Sequence, residues 1–186
     1  EEAALESSWP VQDAVYDVSS RQIAAVRMGA HDPDWTTLWV YDGESSAGAL
    51  LLPSLAGRLR LWPVWSPTGD EIFVVDSRPG ERSRIVSVPA RGGATREISI
   101  RNDQVAHLSV SPDGRWIAYA AGTSGDRDIW IVPTAGGGST QLTRRQGFES
   151  EPTWSPDGSE LAYVTDRRGQ HEIWRMRADG SEGEVM

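Results

Sequence analysis

A five-residue motif recurs three times along the chain at an almost constant spacing. It reads WSPTG at residues 65–69, VSPDG at 110–114 and WSPDG at 154–158, so its serines are 45 and 44 residues apart. Each copy is followed, at matching positions, by two short apolar runs and a glycine-rich turn. So many features aligned at a pitch near 44 residues indicate a chain built from repeated structural units.

A fourth and more divergent copy lies upstream of these three. Residues 15–26 align without a gap on residues 64–75, although Val18, Ser19 and Ser20 stand where the turn would carry its proline and glycine. We therefore expect four units, at residues 8–53, 54–98, 99–142 and 143–186.

Each unit has the pattern of four short antiparallel strands. In Ser-Pro-Asp-Gly, proline suits the second position of a type I turn and glycine the fourth. The flanking runs are four or five residues long and rich in Val, Ile, Trp and Tyr, which favour strands. No stretch shows a sustained helical period of apolar residues. The sequence therefore predicts an all-β chain with almost no helix.

Four-stranded units of this length cannot bury both of their faces alone, and radial stacking about an axis solves that problem. We therefore predict a β-propeller of four-stranded antiparallel blades, about four in this chain. Two interpretations stay open for residues 1–186. They form one propeller domain, closed by an outer strand from residues 1–7, or they are a fragment of a larger propeller.

The repeat resembles that of a known family. Residues 151–181, which read EPTWSPDGSELAYVTDRRGQHEIWRMRADGS, are similar to the repeat of TolB-like propellers; residues 111–143 match it as closely and residues 62–99 somewhat less. Propellers of that family usually have about six blades or more, against four here. The resemblance implies a periplasmic or extracellular bacterial protein, or a propeller attached to a peptidase, a kinase or a transcription regulator.

Composition excludes several classes of partner. The formal net charge is −9 with no block of basic residues, which argues against binding to nucleic acid. No window has the 18 or so apolar residues that a membrane-spanning helix needs, and the first residues lack the order of a signal peptide. The chain has no cysteine, so disulfides and thiol chemistry are excluded.

We find no pattern for catalysis, a cofactor or a metal, and we predict that this chain is not an enzyme. Residues 122–125 (GTSG) fit a turn better than a nucleophile elbow, and residues 136–140 (GGGST) lack the lysine of a phosphate-binding loop. Three histidines are spread over three units, and no cysteine is available to complete a zinc site. Two Asp-x-Asp pairs are interpreted as turn carboxylates rather than calcium ligands.

Function in a propeller usually depends on its loops. Those joining the second strand to the third, and the fourth strand to the next blade, share one face and are rich in arginine. The arginines there are Arg58, Arg60, Arg78, Arg82, Arg101, Arg144, Arg145, Arg167 and Arg168. Such a face would hold an acidic partner through bidentate contacts. A solvated rim, with these arginines paired internally to Asp or Glu, is the alternative.

Trp35 lies in the longest of these loops among polar neighbours, as an interface anchor would, although a core-capping role is equally open. The predicted partner-binding residues are His31, Asp34, Trp35, Arg78, Arg101, Arg144, Arg145, Phe148, Glu149, Arg167 and Arg168.

The sequence thus favours a non-enzymatic protein-binding or scaffolding propeller of the bacterial cell envelope. Two alternatives remain. The blades are the accessory propeller of a larger enzyme, such as a prolyl-oligopeptidase-type serine peptidase, or they are a structural subunit that pairs with copies of itself through open blade edges.

Overall fold

The computed structural model describes residues 11–186 except residues 19, 29–35, 45–47, 54–58, 79, 102, 124, 145–146 and 182. Over these residues every regular element is a β-strand, which confirms the predicted all-β class. The strands form four sheets of four consecutive strands each, as expected for propeller blades. The closing strand predicted at residues 1–7 falls outside the described residues.

The strands follow one another in chain order within each sheet. The first sheet contains β1 (Val11–Asp17), β2 (Gln22–Met28), β3 (Thr36–Asp42) and β4 (Gly48–Leu52). The second contains β5 (Leu59–Trp65), β6 (Glu71–Ser77), β7 (Ser83–Pro89) and β8 (Arg96–Arg101). The third contains β9 (Gln104–Val110), β10 (Trp116–Gly122), β11 (Arg127–Pro133) and β12 (Thr140–Gln141). The fourth contains β13 (Glu149–Trp154), β14 (Glu160–Thr165), β15 (Glu172–Arg177) and β16 (Glu184–Val185).

The four repeats are grouped into two larger compact units, a first unit of residues 1–97 and a second unit of residues 98–186. In the first unit, apolar side chains of the first two sheets meet in one core. Trp65 contributes its ring to this core, and its Nε1 donates a hydrogen bond to the carbonyl oxygen of Val15 at 3.1 Å. The indole thus buries a large apolar surface and satisfies its single polar group on the neighbouring sheet.

The second unit repeats this arrangement. Its core gathers side chains of the third and fourth sheets, including Ile131, Trp154 and Tyr163. Trp154 Nε1 donates to the carbonyl oxygen of Ser109 at 3.1 Å, the position in the repeat that Val15 holds in the first unit. In each unit, therefore, the tryptophan before the serine of the repeated turn ties two sheets together through both its ring and its N–H group.

The first strands of the last three sheets each contain a β-bulge. Two residues of the strand oppose one on its neighbour, and the first of the two has a positive φ: 51° at Trp62, 52° at His107 and 53° at Glu151. Side chains other than glycine rarely adopt this conformation. Bulges of this kind bend a strand and increase its twist. The recurrence at one position of the repeat shows that the bend belongs to the fold.

The repeated turn has the predicted hydrogen bond between its first and fourth residues. The glycine N–H donates to the serine carbonyl at 2.9 Å in both Ser-Pro-Asp-Gly copies, Gly114 to Ser111 and Gly158 to Ser155. The serine hydroxyl adds a second link, because it donates to the turn aspartate and accepts from the first residue of the next strand. The aspartates are therefore structural in the turn, as the sequence predicted.

The divergent first copy keeps its turn by a different contact. Asp17 occupies the place of the serine, and its Oδ2 accepts hydrogen bonds from the Ser20 N–H at 2.7 Å and the Ser20 hydroxyl at 2.6 Å. A carboxylate can cap a turn without proline or glycine because it accepts from backbone N–H groups directly. The repeat thus survives in structure where its motif is lost.

We predict that Asp157 titrates abnormally. Hydrogen bonds from Ser155 and Ser159 lower the pKa of this carboxyl from 3.8 to about 2. Because the folded pKa is depressed, its stabilising contribution is present above 3.8 and is lost as pH falls through about 2. A carboxyl carbon NMR titration of the folded chain should give a midpoint near 2, and Ser155→Ala should move it upward. A wild-type midpoint at the ordinary value would contradict this assignment.

Candidate functional site

Four of the predicted partner-binding residues, His31, Asp34, Trp35 and Arg145, lie outside the described residues. Arg78 belongs to the first unit, where its Nη1 donates to Glu81 Oε1 at 2.9 Å within the same loop. Arg60, which the sequence placed among the loop arginines, is instead buried in β5 and donates to the carbonyl oxygens of Thr36 and Pro53. The remaining predicted residues belong to the second unit.

Arg101 makes internal contacts in the second unit. Its guanidinium lies 3.8 Å from the ring centroid of Trp130, and Nη2 is 2.7 Å from Asp103 Oδ2. Burial disfavours its charged form, but Asp103 and Tyr119 outweigh that effect and leave the pKa of Arg101 raised. Only 17% of the side chain is exposed, so Arg101 mainly braces the third sheet.

Arg167 makes a corresponding set of contacts in the fourth sheet. Its guanidinium lies 4.0 Å from the ring centroid of Trp174, and its Nη2 donates to Glu149 Oε1 at 2.7 Å and to the Tyr163 hydroxyl at 2.9 Å. The side chains of Arg167 and Glu149 are 13% and 2% exposed. This ion pair is therefore shielded from water, and it fixes the loop between β14 and β15.

Arginine over tryptophan recurs at one position of the repeat. Trp130 and Trp174 align with Trp39, which has the guanidinium of Arg27 at 5.9 Å. The arginines come from different places: Arg27 from a second strand, Arg101 from the end of a fourth strand, and Arg167 from a loop within a blade. What the three sites share is the tryptophan, because the face of an indole ring attracts a cation.

Two of the predicted arginines are exposed at the loop end of the second unit. Arg144 lies in the connection between β12 and β13. Arg168 is 56% exposed, lies 5.3 Å from the Trp174 ring, and has Glu172 Oε2 at 3.8 Å. At 3.8 Å, with the arginine exposed, this ion pair contributes little to stability, so Arg168 can exchange Glu172 for a carboxylate of a partner.

Arg127, the first residue of β11, was missed by the sequence interpretation. It is half-buried, and burial alone lowers its pKa, with no carboxylate acting against that effect among the described residues. Its guanidinium lies 5.3 Å from the ring centroid of Phe148. Its Nε is buried and has no hydrogen-bond partner among the residues that the structure describes. Arg127 is therefore a partly desolvated cation for which the described residues provide no compensating anion.

The neighbouring Asp128 does not neutralise Arg127, because successive side chains of a strand point to opposite faces. Its carboxylate accepts hydrogen bonds from Gln141 Nε2 at 2.8 Å and Thr143 Oγ1 at 3.3 Å. Burial, assisted by the charge of Glu149, raises the pKa of Asp128 despite these bonds. In the sequence, Arg127 lies between Asp126 and Asp128, which suggests that neighbouring carboxylates neutralise its charge. In the structure, the alternation of side chains along β11 turns Asp128 away from Arg127.

Phe148 is held at the centre of this end of the unit. Its N–H donates to Asp166 Oδ1 at 2.8 Å, and its ring meets His171 edge-on at 6.2 Å between centroids. Gly147 makes this possible, since its φ is 131° and a Cβ there would lie 2.8 Å from Asp166 Oδ1. We call Arg127, Arg144, Phe148, Arg168 and His171 the Arg127–Phe148 surface.

The fold and this surface define a β-propeller with a cationic, aromatic cluster on its loops. The family model of the TolB beta propeller domain matches residues 36–186. The chain therefore belongs to the TolB beta propeller domain family.

Solved structures show the same fold. A TolB from Agrobacterium tumefaciens superposes with a TM-score of 0.80 at 23% identity, over 95% of this chain and 61% of the other. TolB from Acinetobacter baumannii gives 0.75 at 24% identity, over 88% and 41%. A puromycin-hydrolyzing peptidase from Mycobacterium tuberculosis gives 0.76 at 15% identity, over 95% and 29%. The chain thus spans less than two thirds of each of these proteins.

A search of curated protein sequences found no match. The described residues include no helix that could span a membrane. They also include no group of three or more His, Cys, Asp or Glu side chains placed to hold a metal ion.

We predict that Arg167 and Glu149 stabilise the fold as a pair. Arg167→Met leaves the buried Glu149 carboxylate unpaired, so it should lower the free energy of unfolding by roughly 3–5 kcal/mol. Adding Glu149→Gln should recover part of that loss, because the uncompensated charge is removed. The neighbouring Arg168→Met is the control and should change stability by less than about 0.5 kcal/mol. The free energies of unfolding are measured by urea denaturation. If the double variant loses the sum of what the two single variants lose, the pairing is contradicted.

Proposed function

We propose that the chain is a non-enzymatic protein-binding module of the bacterial cell envelope, and that the Arg127–Phe148 surface holds an acidic segment of a partner protein. The observation that carries this proposal is the half-buried guanidinium of Arg127, which stacks on Phe148 without a carboxylate partner among the described residues. Membership of the TolB beta propeller domain family supports both the class of function and the location.

The energetics of Arg127 favour an anionic ligand. A guanidinium that has lost water without gaining an anion carries an uncompensated desolvation cost. A partner carboxylate placed against Arg127 would recover that cost through charge-assisted hydrogen bonds, which arginine makes in bidentate form. Arg144 and Arg168 would add attraction at the rim, which affects association rate and specificity more than affinity.

Phe148 provides an apolar anchor beside the cation. Aromatic and arginine side chains carry much of the binding energy of protein interfaces when they cluster near the centre. Phe148 is half-buried between Arg127 and His171, so it offers an edge for a partner side chain while its own position is fixed by Asp166. Arg101, Glu149 and Arg167 would then support the surface from within. The roles predicted for Arg78 of the first unit and for His31, Asp34, Trp35 and Arg145 stay predictions.

An accessory role in a larger enzyme is the second candidate. The fold likeness to the Mycobacterium tuberculosis peptidase, which the chain matches over only 29% of that protein's length, favours it. We expect the coding sequence to continue into a segment with a Gly-x-Ser-x-Gly pattern if this candidate holds. A coding sequence that gives only further propeller repeats would contradict it.

Pairing of copies through open blade edges is the third candidate. The outer strands β12 and β16 of the second unit are two residues long and offer few backbone groups for pairing between chains. The outer strands β4 and β8 have five and six residues, so pairing through blade edges would use these longer strands.

The acidic-partner proposal is tested with a random peptide library displayed on phage and panned against the chain. Selected peptides should combine Asp or Glu with an aromatic or aliphatic residue and should bind more weakly as salt is raised. Arg127→Gln, Arg144→Gln and Arg168→Gln together should weaken the best peptide at least about tenfold in fluorescence polarisation. Phe148→Leu should weaken it without changing the salt dependence.

The matched control is Arg84→Gln, Arg96→Gln and Arg115→Gln, which removes three charges from arginines that are 38%, 45% and 80% exposed elsewhere. Far-ultraviolet circular dichroism shows whether each variant is folded. Equal weakening by both triple variants, or selection of peptides without acidic residues, would overturn the proposal.

A further inference from the structure

A cleft of about 430 Å³ opens between the third and fourth sheets, at the end of the second unit opposite the Arg127–Phe148 surface. Its apolar wall is formed by Trp116, Ile131 and Trp154, and three aspartates of the surrounding turns line its rim. The volume lies at the lower end of the range of about 300–1,000 Å³ found for small ligand sites. We call this feature the turn cleft.

The two repeated turns of the unit meet at the turn cleft. A Cβ on Gly158 would lie 3.6 Å from Pro112 Cδ, so the 111–114 and 155–158 turns are in direct contact. In both turns the serine hydroxyl donates to the aspartate, so the position of each of these two rim carboxylates is fixed by its own turn. A rigid rim loses little conformational entropy when a ligand binds.

Each rim aspartate uses one oxygen for its own turn. Oδ1 of Asp113 accepts from Ser111 and Arg115, Oδ1 of Asp157 accepts from Ser155 and Ser159, and Oδ1 of Asp179 accepts from Ser181. These hydrogen bonds lower the pKa of all three carboxyls, so the rim carries three negative charges at neutral pH.

Two arginines lie near this rim of three carboxylates. Arg115 Nε lies 3.8 Å from Asp113 Oδ2, and its side chain is 80% exposed, so solvent weakens this ion pair. The charge of Arg177 also lowers the pKa of Asp179, but less than the hydrogen bonds from Ser181 do. This cleft is complementary to a ligand that carries a cationic side chain next to an apolar one. The cation would meet the three carboxylates, and the apolar side chain would meet the apolar wall.

We propose that the turn cleft docks a basic segment of a partner protein, with an Arg or Lys side chain at the three aspartates and an adjacent aliphatic or aromatic side chain against Trp116, Ile131 and Trp154. This site is independent of the Arg127–Phe148 surface, whose charge is opposite. One propeller unit would thus present an anion-binding end and a cation-binding end.

The test uses four acetylated, amidated pentapeptides titrated into the nitrogen-15-labelled chain: Gly-Arg-Leu-Arg-Gly, Gly-Gln-Leu-Gln-Gly, Gly-Glu-Leu-Glu-Gly and Gly-Arg-Gly-Arg-Gly. We expect saturable chemical-shift changes with the first peptide, confined to the 111–116, 155–159 and 178–181 amides and to the indole N–H groups of Trp116 and Trp154. The neutral and acidic peptides should leave these signals unchanged, and the peptide without leucine should bind more weakly.

The deciding variant is Asp157→Asn with Asp179→Asn, since asparagine can still cap both turns. It should weaken the first peptide about tenfold or more. Its control is Glu44→Gln with Glu81→Gln, which removes two exposed carboxylates from the first unit and should leave the affinity unchanged. Ala178→Leu keeps every carboxylate but narrows the cleft, so it should also weaken binding.

Three outcomes would overturn the proposal. The first is binding of the neutral peptide as tightly as the basic one, and the second is an equal effect of the two double variants. The third is a set of shifted signals outside the turn cleft, or no saturation with any peptide. The amide spectrum of each variant shows directly whether it is folded, and loss of the acidic-peptide binding at the other end leaves this test unaffected.

Discussion

The indole of the repeated tryptophan is the interaction on which each unit depends. Trp154 buries its ring between two sheets and donates its only polar hydrogen to the Ser109 carbonyl across the gap. A single sheet of four short strands cannot bury both faces, and this side chain joins one sheet to the next through apolar contact and a directed bond at once. Trp65 does the same on Val15, so the spacing of the repeat fixes the partner of each indole.

The repeat made the fold predictable and left much of the site unpredictable. Spacing, turn chemistry and strand composition predicted four-stranded antiparallel blades, because these features are local. Two features of the site were not predicted, for different reasons. Arg167 was expected on a binding face, yet its pair with Glu149 and its contact with Trp174 are internal. Arg127 was overlooked between two aspartates, although the alternation of β11 turns Asp128 away from it.

The recurring arginine over tryptophan explains why sequence alignment misses such side chains. Arg27, Arg101 and Arg167 come from non-equivalent positions, yet each lies over the tryptophan of a third strand. Arg27 and Arg167 belong to the same sheet as their tryptophan, whereas Arg101 ends the preceding sheet. The indole face is the fixed element, and any nearby segment that can deliver a guanidinium satisfies it. In the second sheet, Val86 takes the place of this tryptophan. The contact therefore belongs to the geometry of the blade.

Antiparallel topology places the aspartates of the turn cleft and the arginines of the Arg127–Phe148 surface at opposite ends of the second unit. Turns between the first and second strands, and between the third and fourth, lie at one end and hold Asp113, Asp157 and Asp179. The other loops and the connections between blades lie at the opposite end and hold Arg127, Arg144 and Arg168. Turn aspartates are kept because they cap their turns, so every Ser-Pro-Asp-Gly copy adds a fixed negative charge at the same end. The turn aspartates are thus a consequence of how the repeat folds, whereas the arginines of the loop end occupy positions that the fold leaves free to vary.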